Sequence, residues 1–422
     1  MEILNSAETD RELIFGNTSW DADLKGNIYL SEKALLLSEK EHLELIKAQS
    51  EIVALLKLTQ SLLSRFKEFH KWLDLPKELI DLSFNDGMLN YITTFGRFDW
   101  VFDETGQLRL LEFNSETPMG WIESIKFTEN AHKYYQKTEN VNCNLRASLK
   151  KSIYERLISI DKLDGRIAIV GENINNNKEE YDTYHFLADI IREITSEVIV
   201  CSVSELKAMT DYEYFDDGIY IEKDDMLYSI DVLMTFYSVE GLVKDDGGGQ
   251  LIQLIEENIV SLMNPSSTAL LHSKGLFALI WYLYKTTNEF DDFSETIEKY
   301  IPFSTFNPEE LDKSKTLCVQ KKLNHREGNS VEIKPISECK TSKEEMVVFQ
   351  EYIAVKKLLF DRLNKDKNGN IVKNILPLQH TIGTYCICDK MEGYYTRLSE
   401  GICSAFDSTF VPTFVASFKN NF

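Results

Sequence analysis

The stretch from residue 97 to residue 123, RFDWVFDETGQLRLLEFNSETPMGWIE, constrains the fold more than any other part of the sequence. Two apolar runs, at 100–102 and 108–111, flank an Asp-Glu-Thr-Gly turn. Runs of this length on either side of a short turn are typical of a β-hairpin. The sequence therefore predicts a hairpin with carboxylates at both of its ends.

Polar side chains of this hairpin are spaced so that they meet on one face. Because side chains alternate along a strand, Glu112 and Asn114 project to the same face, and the turn folds Asp99 back towards them. Carboxylate and amide oxygens suit Mg²⁺, which completes its shell with substrate phosphates and water. We predict that Asp99, Glu112 and Asn114 bind the metal and that Arg97, on the face of Asp99, holds a phosphate. The alternative is an amphipathic hairpin whose polar face is merely solvated.

Charge and hydropathy limit the partners of the chain. Its 422 residues carry a net charge of −22, which disfavours nucleic acid or an anionic membrane as a partner. The N-terminus, MEILNSAETD, lacks the basic and apolar regions of a secretory signal. The longest strongly apolar run, at 275–284, is too short to cross a bilayer. We therefore expect a cytoplasmic protein without nucleic-acid or membrane partners.

Helix and strand patterns outside the hairpin indicate a mixed α/β chain. A capping box at Ser38 and Glu41 precedes an amphipathic helix predicted to run to residue 73. A buried strand at 165–171, a helix at 181–194 and a strand at 197–201 form a β-α-β unit, which predicts a parallel sheet. A helix over 270–284 is expected to carry Lys274, and the polar stretch 288–315 is expected to be a mobile connector. Strands are predicted from residue 316 onwards.

Three motifs together resemble the synthetase domain of the glutathionylspermidine synthase family of ATP-grasp ligases: Arg97-Phe98-Asp99, Leu111-Glu112-Phe113-Asn114 and Thr117-Pro118. The resemblance implies an α/β (α+β) ATP-grasp fold with a preceding helical and β lobe and a parallel-sheet lobe on the substrate side. We place the N-terminal helical region and the metal-binding hairpin at 1–160. The substrate-side lobe is expected at 161–264, and the nucleotide-binding lobe at 265–422.

The resemblance also implies roles for residues later in the chain. Three residues are similar to the family's catalytic arginines, namely Arg97, Arg326 and Arg397. Its ATP-binding lysines are similar to Lys274 and Lys321, and its mobile phosphate loop is similar to Gly328 and Asn329. Its adenine hinge is similar to Gln350, Glu351 and Tyr352. Here the sequence reads K-K-L-N-H-R-E-G where the family has K-P-x-x-G-R-x-G, so loop closure is expected to differ in detail.

Substrate-side residues depart further from the family pattern. The family commonly continues Asn-Ala-Asp after its Glu-x-Asn, whereas this chain reads Asn114-Ser115-Glu116, so glutathione is not implied as the acid. The family's amidase domain, with its nucleophilic cysteine, is absent from the sequence, and only synthetic activity is expected. Thr117 and Glu240 are predicted to face the substrates. Glu116, Glu123 and Asp407 are further candidates for an acidic trough that holds an amine.

Together these features predict an ATP- and Mg²⁺-dependent carboxylate–amine ligase that forms an amide through an acyl phosphate. Its expected substrates are a small-molecule or peptide carboxylate and an amine. One alternative is a thioester-forming ligase that acts on an acyl carrier protein, which a basic docking patch would favour. Another is a degenerate ATP-grasp module that only binds nucleotide.

Overall fold

The computed structural model describes residues 1–6, 8–16, 26–85, 90–211, 213–323, 331–341, 345–401 and 408–417. Strands in these ranges form five sheets. The α-helices of these ranges are Arg11–Phe15, Glu39–Arg65, Lys77–Asn85, Thr128–His132, Leu145–Ser159, Lys178–Ile191, Val239–Lys244, Gly248–Glu256, Thr268–His272, Leu276–Thr286 and Ser294–Tyr300. Shorter 3₁₀ helices are Lys67–Trp72, Val141–Asn144, Val203–Glu205, Asp291–Phe293, Pro308–Glu310 and Ile336–Glu338, and a π-helical turn spans Glu123–Phe127.

A six-stranded antiparallel sheet, here called the central sheet, contains the predicted hairpin. Its strands lie in the order Ser408–Val411, Lys390–Ser399, Ile371–Ile387, Phe95–Phe102 and Leu108–Asn114, and Lys357–Lys365 pairs with the N-terminal part of the long strand. The hairpin prediction is confirmed, and its two strands pair antiparallel around the turn at 103–107.

The long helix Glu39–Arg65 packs its apolar side against the central sheet. The predicted capping box is present, since Ser38 and Glu41 bond each other's backbone N–H groups. Leu45, Ile52 and Leu56 are fully buried and belong to one apolar cluster with Phe98 and Trp100 of the hairpin. This core anchors the hairpin strand that carries Arg97 and Asp99.

A four-stranded parallel sheet confirms the predicted β-α-β unit. Its strands lie in the order Ser261–Leu262, Val232–Thr235, Ile167–Gly171 and Val198–Ser202. The first strand of the unit, IAIVG, is buried along its whole length, as a strand with helices on both faces requires. A three-stranded antiparallel sheet follows beside it, in the order Met226–Ile230, Gly218–Lys223 and Leu206–Met209.

Two further sheets complete the fold. The first, here called the small sheet, is antiparallel, in the order Ser304–Thr305, Val347–Glu351, Leu317–Lys322 and Val331–Pro335. The second joins the two ends of the chain, in the order Glu2–Leu4, Ala34–Leu37, Thr413–Ala416 and Thr138–Glu139. The parallel and three-stranded sheets fall within 161–264, but the central sheet joins 95–114 to 357–411. The segments 1–160 and 265–422 therefore share one sheet.

Three local predictions are wrong. The long amphipathic helix ends at Arg65 instead of running to residue 73, and a 3₁₀ helix at Lys67–Trp72 follows it. The helix expected over 270–284 is divided into Thr268–His272 and Leu276–Thr286, and Lys274 lies in the break between them. The chain passes close to another backbone there, since a Cβ on Gly275 would lie 2.2 Å from the Trp72 carbonyl oxygen. The stretch 288–315 is not a mobile connector, because helix Ser294–Tyr300 buries Ile297 and Tyr300 completely.

Among the helices in the described ranges, none has both the length and the apolar character needed to cross a membrane.

Candidate functional site

The hairpin register places the predicted metal ligands beside one another. Asp99 pairs with Glu112, and Arg97 pairs with Asn114. A β-bulge follows Asp99, which re-aims the strand at the point where these side chains meet. The Asn114 amide nitrogen lies 3.5 Å from both an Asp99 and a Glu112 carboxylate oxygen. The predicted triad is thus brought together.

Asp99 is completely buried and binds two arginines. The Arg97 guanidinium donates to both Asp99 oxygens, from Nε at 2.6 Å and from Nη2 at 2.9 Å. Arg397 comes from another strand of the sheet and donates to Asp99 Oδ2 at 3.2 Å. Arg97 also donates to the Met119 carbonyl oxygen at 2.8 Å. The carboxylate therefore fixes both guanidinium groups at the wall of the cleft described below.

Electrostatics in this cluster favour the charged forms of its members. Burial by itself raises the pKa of Asp99, but Arg97 and Arg397, with hydrogen bonds to the carboxylate, hold that pKa below its ordinary value. Burial likewise lowers the pKa of Arg97, and Asp99 more than reverses this, so the pKa of Arg97 is raised. The pair remains ionised at neutral pH.

The donor chemistry of the hairpin fits Mg²⁺. Glu112 is exposed and Asn114 half-buried, and both line the cleft. Within the described ranges, no three His, Cys, Asp or Glu side chains gather as a metal cluster, so a site here needs the Asn oxygen and substrate oxygens. Mg²⁺ is commonly bound in this way, by one or two carboxylates together with phosphates and water. A metal role for Asp99, whose oxygens accept from arginines, stays a prediction.

One cleft of about 880 Å³ collects most of the predicted site. Among the predicted residues, those that line it are Arg97, Glu112, Asn114, Thr117, Glu240, Lys274, Lys321, Gln350, Glu351 and Arg397. Asp99 lies behind its wall, and Tyr352 follows the strand Val347–Glu351 without lining the cleft. Arg326, Gly328 and Asn329, together with Asp407, lie outside the described residues.

The small sheet forms the side of the cleft predicted to bind nucleotide. Lys321 extends from strand Leu317–Lys322, and its ammonium donates to the Leu111 carbonyl oxygen at 3.3 Å. Gln350 is buried and donates to Ser304 Oγ at 3.1 Å, while Glu351 lies 3.3 Å from Arg109. Residues 352–355 then lead from the small sheet to the central sheet, and the predicted adenine hinge at 350–352 stays a prediction.

Acidic side chains from the parallel-sheet lobe line the opposite part of the cleft. Glu172 follows strand Ile167–Gly171, and Glu240 follows strand Val232–Thr235 in the first turn of helix Val239–Lys244. Glu179 and Glu180 lie in the first turn of helix Lys178–Ile191, which follows strand Ile167–Gly171 and has Asn177 as its N-cap. Ligands of open α/β sheets bind beyond the carboxyl ends of parallel strands, where these residues lie. The sequence motifs did not predict Glu172, Glu179 or Glu180.

Three other side chains were not predicted as a group. Tyr29 and Tyr395 line the cleft, and their hydroxyl oxygens are 2.6 Å apart. Tyr29 also donates to Glu123 Oε1 at 2.8 Å. Glu123 was predicted only as one of several acids near an amine. No sequence signal links the two tyrosines, because they are separated by 366 positions.

Gly120 lies directly against the Tyr395 ring. Its φ is +95°, and a Cβ there would lie 2.4 Å from the ring. We expect Gly120→Ala to lower the free energy of unfolding by about 2–4 kcal/mol, from left-handed backbone strain together with overpacking. Urea denaturation followed by circular dichroism measures the loss.

Gly106→Ala is the matched control for this prediction. Gly106 has a φ of +84°, but a Cβ added there would have nothing within 4 Å of it. The control therefore carries the backbone strain alone, which costs about 1–2 kcal/mol. Equal losses in the two variants would contradict the close packing of Gly120 against Tyr395.

Known proteins resemble this chain in sequence pattern and in fold. A family model for the glutathionylspermidine synthase preATP-grasp family matches residues 6–416. The fold is similar to that of a glutathione synthetase-like effector from Globodera pallida, at 11% identity and a TM-score of 0.59, over 92% of this chain and 90% of that one. A putative gamma-glutamylcysteine synthetase from Methylobacillus flagellatus KT is similar at 13% identity and a TM-score of 0.40, over 82% of each chain. A search of curated proteins finds no match.

Proposed function

Because the chain belongs to the glutathionylspermidine synthase preATP-grasp family, we propose that it is an ATP- and Mg²⁺-dependent ligase that joins a carboxylate to an amine through an acyl phosphate. One observation carries the proposal. A single cleft receives Glu112 and Asn114 from the hairpin, two lysines from later segments, and an arginine pair fixed by a buried aspartate. Phosphoryl transfer to a carboxylate needs such a collection of charges, because the two reactants repel each other.

Each side of the cleft takes one part of the reaction in this proposal. Lys274 and Lys321 bind ATP phosphates, and Gln350 and Glu351 border the adenine. Glu112 and Asn114 would hold Mg²⁺, which when bound neutralises charge on the phosphates. Arg97 and Arg397 stabilise the acyl phosphate, since Asp99 already fixes their orientation and little reorganisation is needed.

The acidic part of the cleft supports an amine as the second substrate. Glu116, Glu172, Glu179, Glu180 and Glu240 all line it. Carboxylates at this density attract a cation and repel a second carboxylate or phosphate. The acid and ATP are therefore placed towards the lysines and arginines, and the amine towards the parallel-sheet lobe, where Thr117 also lines the cleft.

Trapping with hydroxylamine tests the proposed function. The protein would be incubated with Mg·ATP, hydroxylamine and a pool of amino acids, glutathione and short peptides, with omission of ATP or of the acids as controls. We expect ADP together with a hydroxamate, whose mass identifies the acid. ATP binding without ADP or hydroxamate from any acid in the pool would instead support a module that only binds nucleotide.

One basic surface favours an alternative to the amine, in which the acyl group is transferred to the thiol of a carrier protein. Residues 356–377 include five exposed Lys and two half-buried Asp, in a chain whose net charge is −22. They form the antiparallel ribbon of Lys357–Lys365 with the start of Ile371–Ile387, on which Leu359 and Ile375 are 74% and 69% exposed. An acidic carrier protein would complement this charge. Addition of a holo carrier protein to the assay should then yield an acyl thioester, detectable by mass spectrometry.

A further inference from the structure

A chain of hydrogen bonds leads from the cleft to a buried carboxylate. Tyr395 is 5% exposed and lines the cleft, and its hydroxyl oxygen is 2.6 Å from that of Tyr29. The Tyr29 hydroxyl is 2.8 Å from Glu123 Oε1, and Glu123 is 1% exposed. These three residues, here called the Tyr–Tyr–Glu chain, come from distant parts of the sequence. The metal site, the arginine pair and the ATP lysines leave them without a role.

The direction of the hydrogen bonds follows from the chemistry of the three groups. A hydroxyl has one proton to donate, and Tyr29 donates its proton to the Glu123 carboxylate. Tyr395 must therefore donate to Tyr29 across the 2.6 Å contact. Its own oxygen keeps a lone pair with which to accept a proton from the cleft. The chain is thus aligned to carry a proton from the cleft to Glu123.

The Tyr395 ring lies beside two charged groups. The Arg97 guanidinium carbon is 4.9 Å from the ring centre, and that of Arg397 is 5.5 Å away. Gly120 packs against the ring, as described above. Cation–π contacts of this length keep the ring and its hydroxyl in place. Tyr395 therefore links two parts of the site. One is the arginine pair that is proposed to bind the acyl phosphate, and the other is the buried carboxylate of Glu123.

The surroundings of Glu123 favour uptake of a proton. Glu123 begins the π-helical turn Glu123–Phe127, an irregularity that is frequent at functional sites. Its Oε2 is buried and has no hydrogen-bond partner among the residues that the structure describes. Burial raises the pKa of Glu123, and the Tyr29 hydroxyl, Arg97 and Arg397 offset this only in part. Besides the two arginines, Glu179 and Tyr385 are the other titratable groups around this chain.

We propose, on the premise of the ligase function above, that Glu123 accepts the proton of the substrate ammonium through Tyr395 and Tyr29. The ammonium passes a proton to Tyr395 while Tyr395 passes its own to Tyr29 and Tyr29 passes its own to Glu123. The freed nitrogen lone pair forms the C–N bond, and the C–O bond to phosphate breaks with its electron pair on phosphate. The second proton lost by nitrogen leaves on that phosphate, and Glu123 ends as a neutral acid.

The test compares two nucleophiles in the same variants. An aliphatic amine titrates near 10, roughly as a lysine side chain does, and is protonated at neutral pH. Hydroxylamine is mostly neutral there and needs no base to become a nucleophile. Glu123→Gln, Tyr29→Phe and Tyr395→Phe should therefore slow ligation of a pool of aliphatic di- and polyamines by about 100-fold, the scale of general base catalysis. Hydroxamate formation from the pooled acids should change less than about threefold.

Tyr184→Phe is the matched control, because it also removes the hydroxyl of a buried tyrosine that lines the cleft. The Tyr184 hydroxyl contacts the Met119 sulfur at 3.9 Å and is not part of the Tyr–Tyr–Glu chain. Tyr395→Phe keeps the ring beside the arginines, so it separates proton transfer from ring packing. The proposal would be overturned if Glu123→Gln slowed amide formation and hydroxamate formation equally, or if it slowed neither reaction. If wild-type protein forms no hydroxamate, the ligase function fails and this inference falls with it.

Discussion

Glu112→Gln is expected to lower ADP formation by a factor of about 1,000 while the protein stays folded. The loss corresponds to about 4 kcal/mol of transition-state stabilisation, within the several kcal/mol that a catalytic metal supplies. Glu112 is exposed in the cleft and contacts Asn114 only at 3.5 Å, so little packing is lost. A coupled ADP assay with the acid identified by hydroxamate trapping measures the rate, and circular dichroism checks the fold.

Glu104→Gln serves as the control for this prediction. Glu104 is an exposed carboxylate in the turn of the same hairpin and does not line the cleft. Its replacement removes one negative charge from the hairpin without touching the site, so ADP formation should stay near the wild-type rate. Wild-type turnover in Glu112→Gln would contradict the metal assignment.

Asp99→Ala is expected to lower the free energy of unfolding by about 3–5 kcal/mol, the usual cost of removing one partner from a buried ion pair. The substitution leaves Arg97, which is 6% exposed, and Arg397 beside each other without their shared counter-ion. Urea denaturation should show a large fall in the midpoint. Asp189→Ala removes an exposed ion pair with Arg192 and should cost less than about 1 kcal/mol.

The pH dependence of this loss has a defined sign. The pKa of Asp99 is lower in the folded protein than in the unfolded chain, where it is about 3.9. A depressed pKa contributes stability that is fully present above the unfolded value and is lost as pH falls through the folded value. The difference in stability between wild type and the isosteric variant Asp99→Asn should therefore be constant from neutral pH to about pH 5. It should shrink only in stronger acid, and a difference that shrinks near neutral pH would contradict the buried ion pair.

Local patterns were sufficient to predict the elements that carry the site. The hairpin followed from two apolar runs and a turn, because strand pairing across a short turn is a local property. The capping box at Ser38 and the β-α-β unit that begins at Ile167–Gly171 were predictable for the same reason. The spacing of Glu112 and Asn114 also determined that they share one face. These features depend on neighbours within a few residues.

The tertiary structure decided the contacts between distant segments. Asp99 was predicted to face a metal, but the pairing of Ile371–Ile387 with Phe95–Phe102 and Lys390–Ser399 places Arg397 on its carboxylate. At the break that carries Lys274, Gly275 approaches the Trp72 carbonyl, and helix propensity does not report such a contact. The Tyr–Tyr–Glu chain likewise joins residues 29, 123 and 395. Sequence periodicity reports which face of an element is buried, whereas the partner that covers that face is selected by packing of the whole chain.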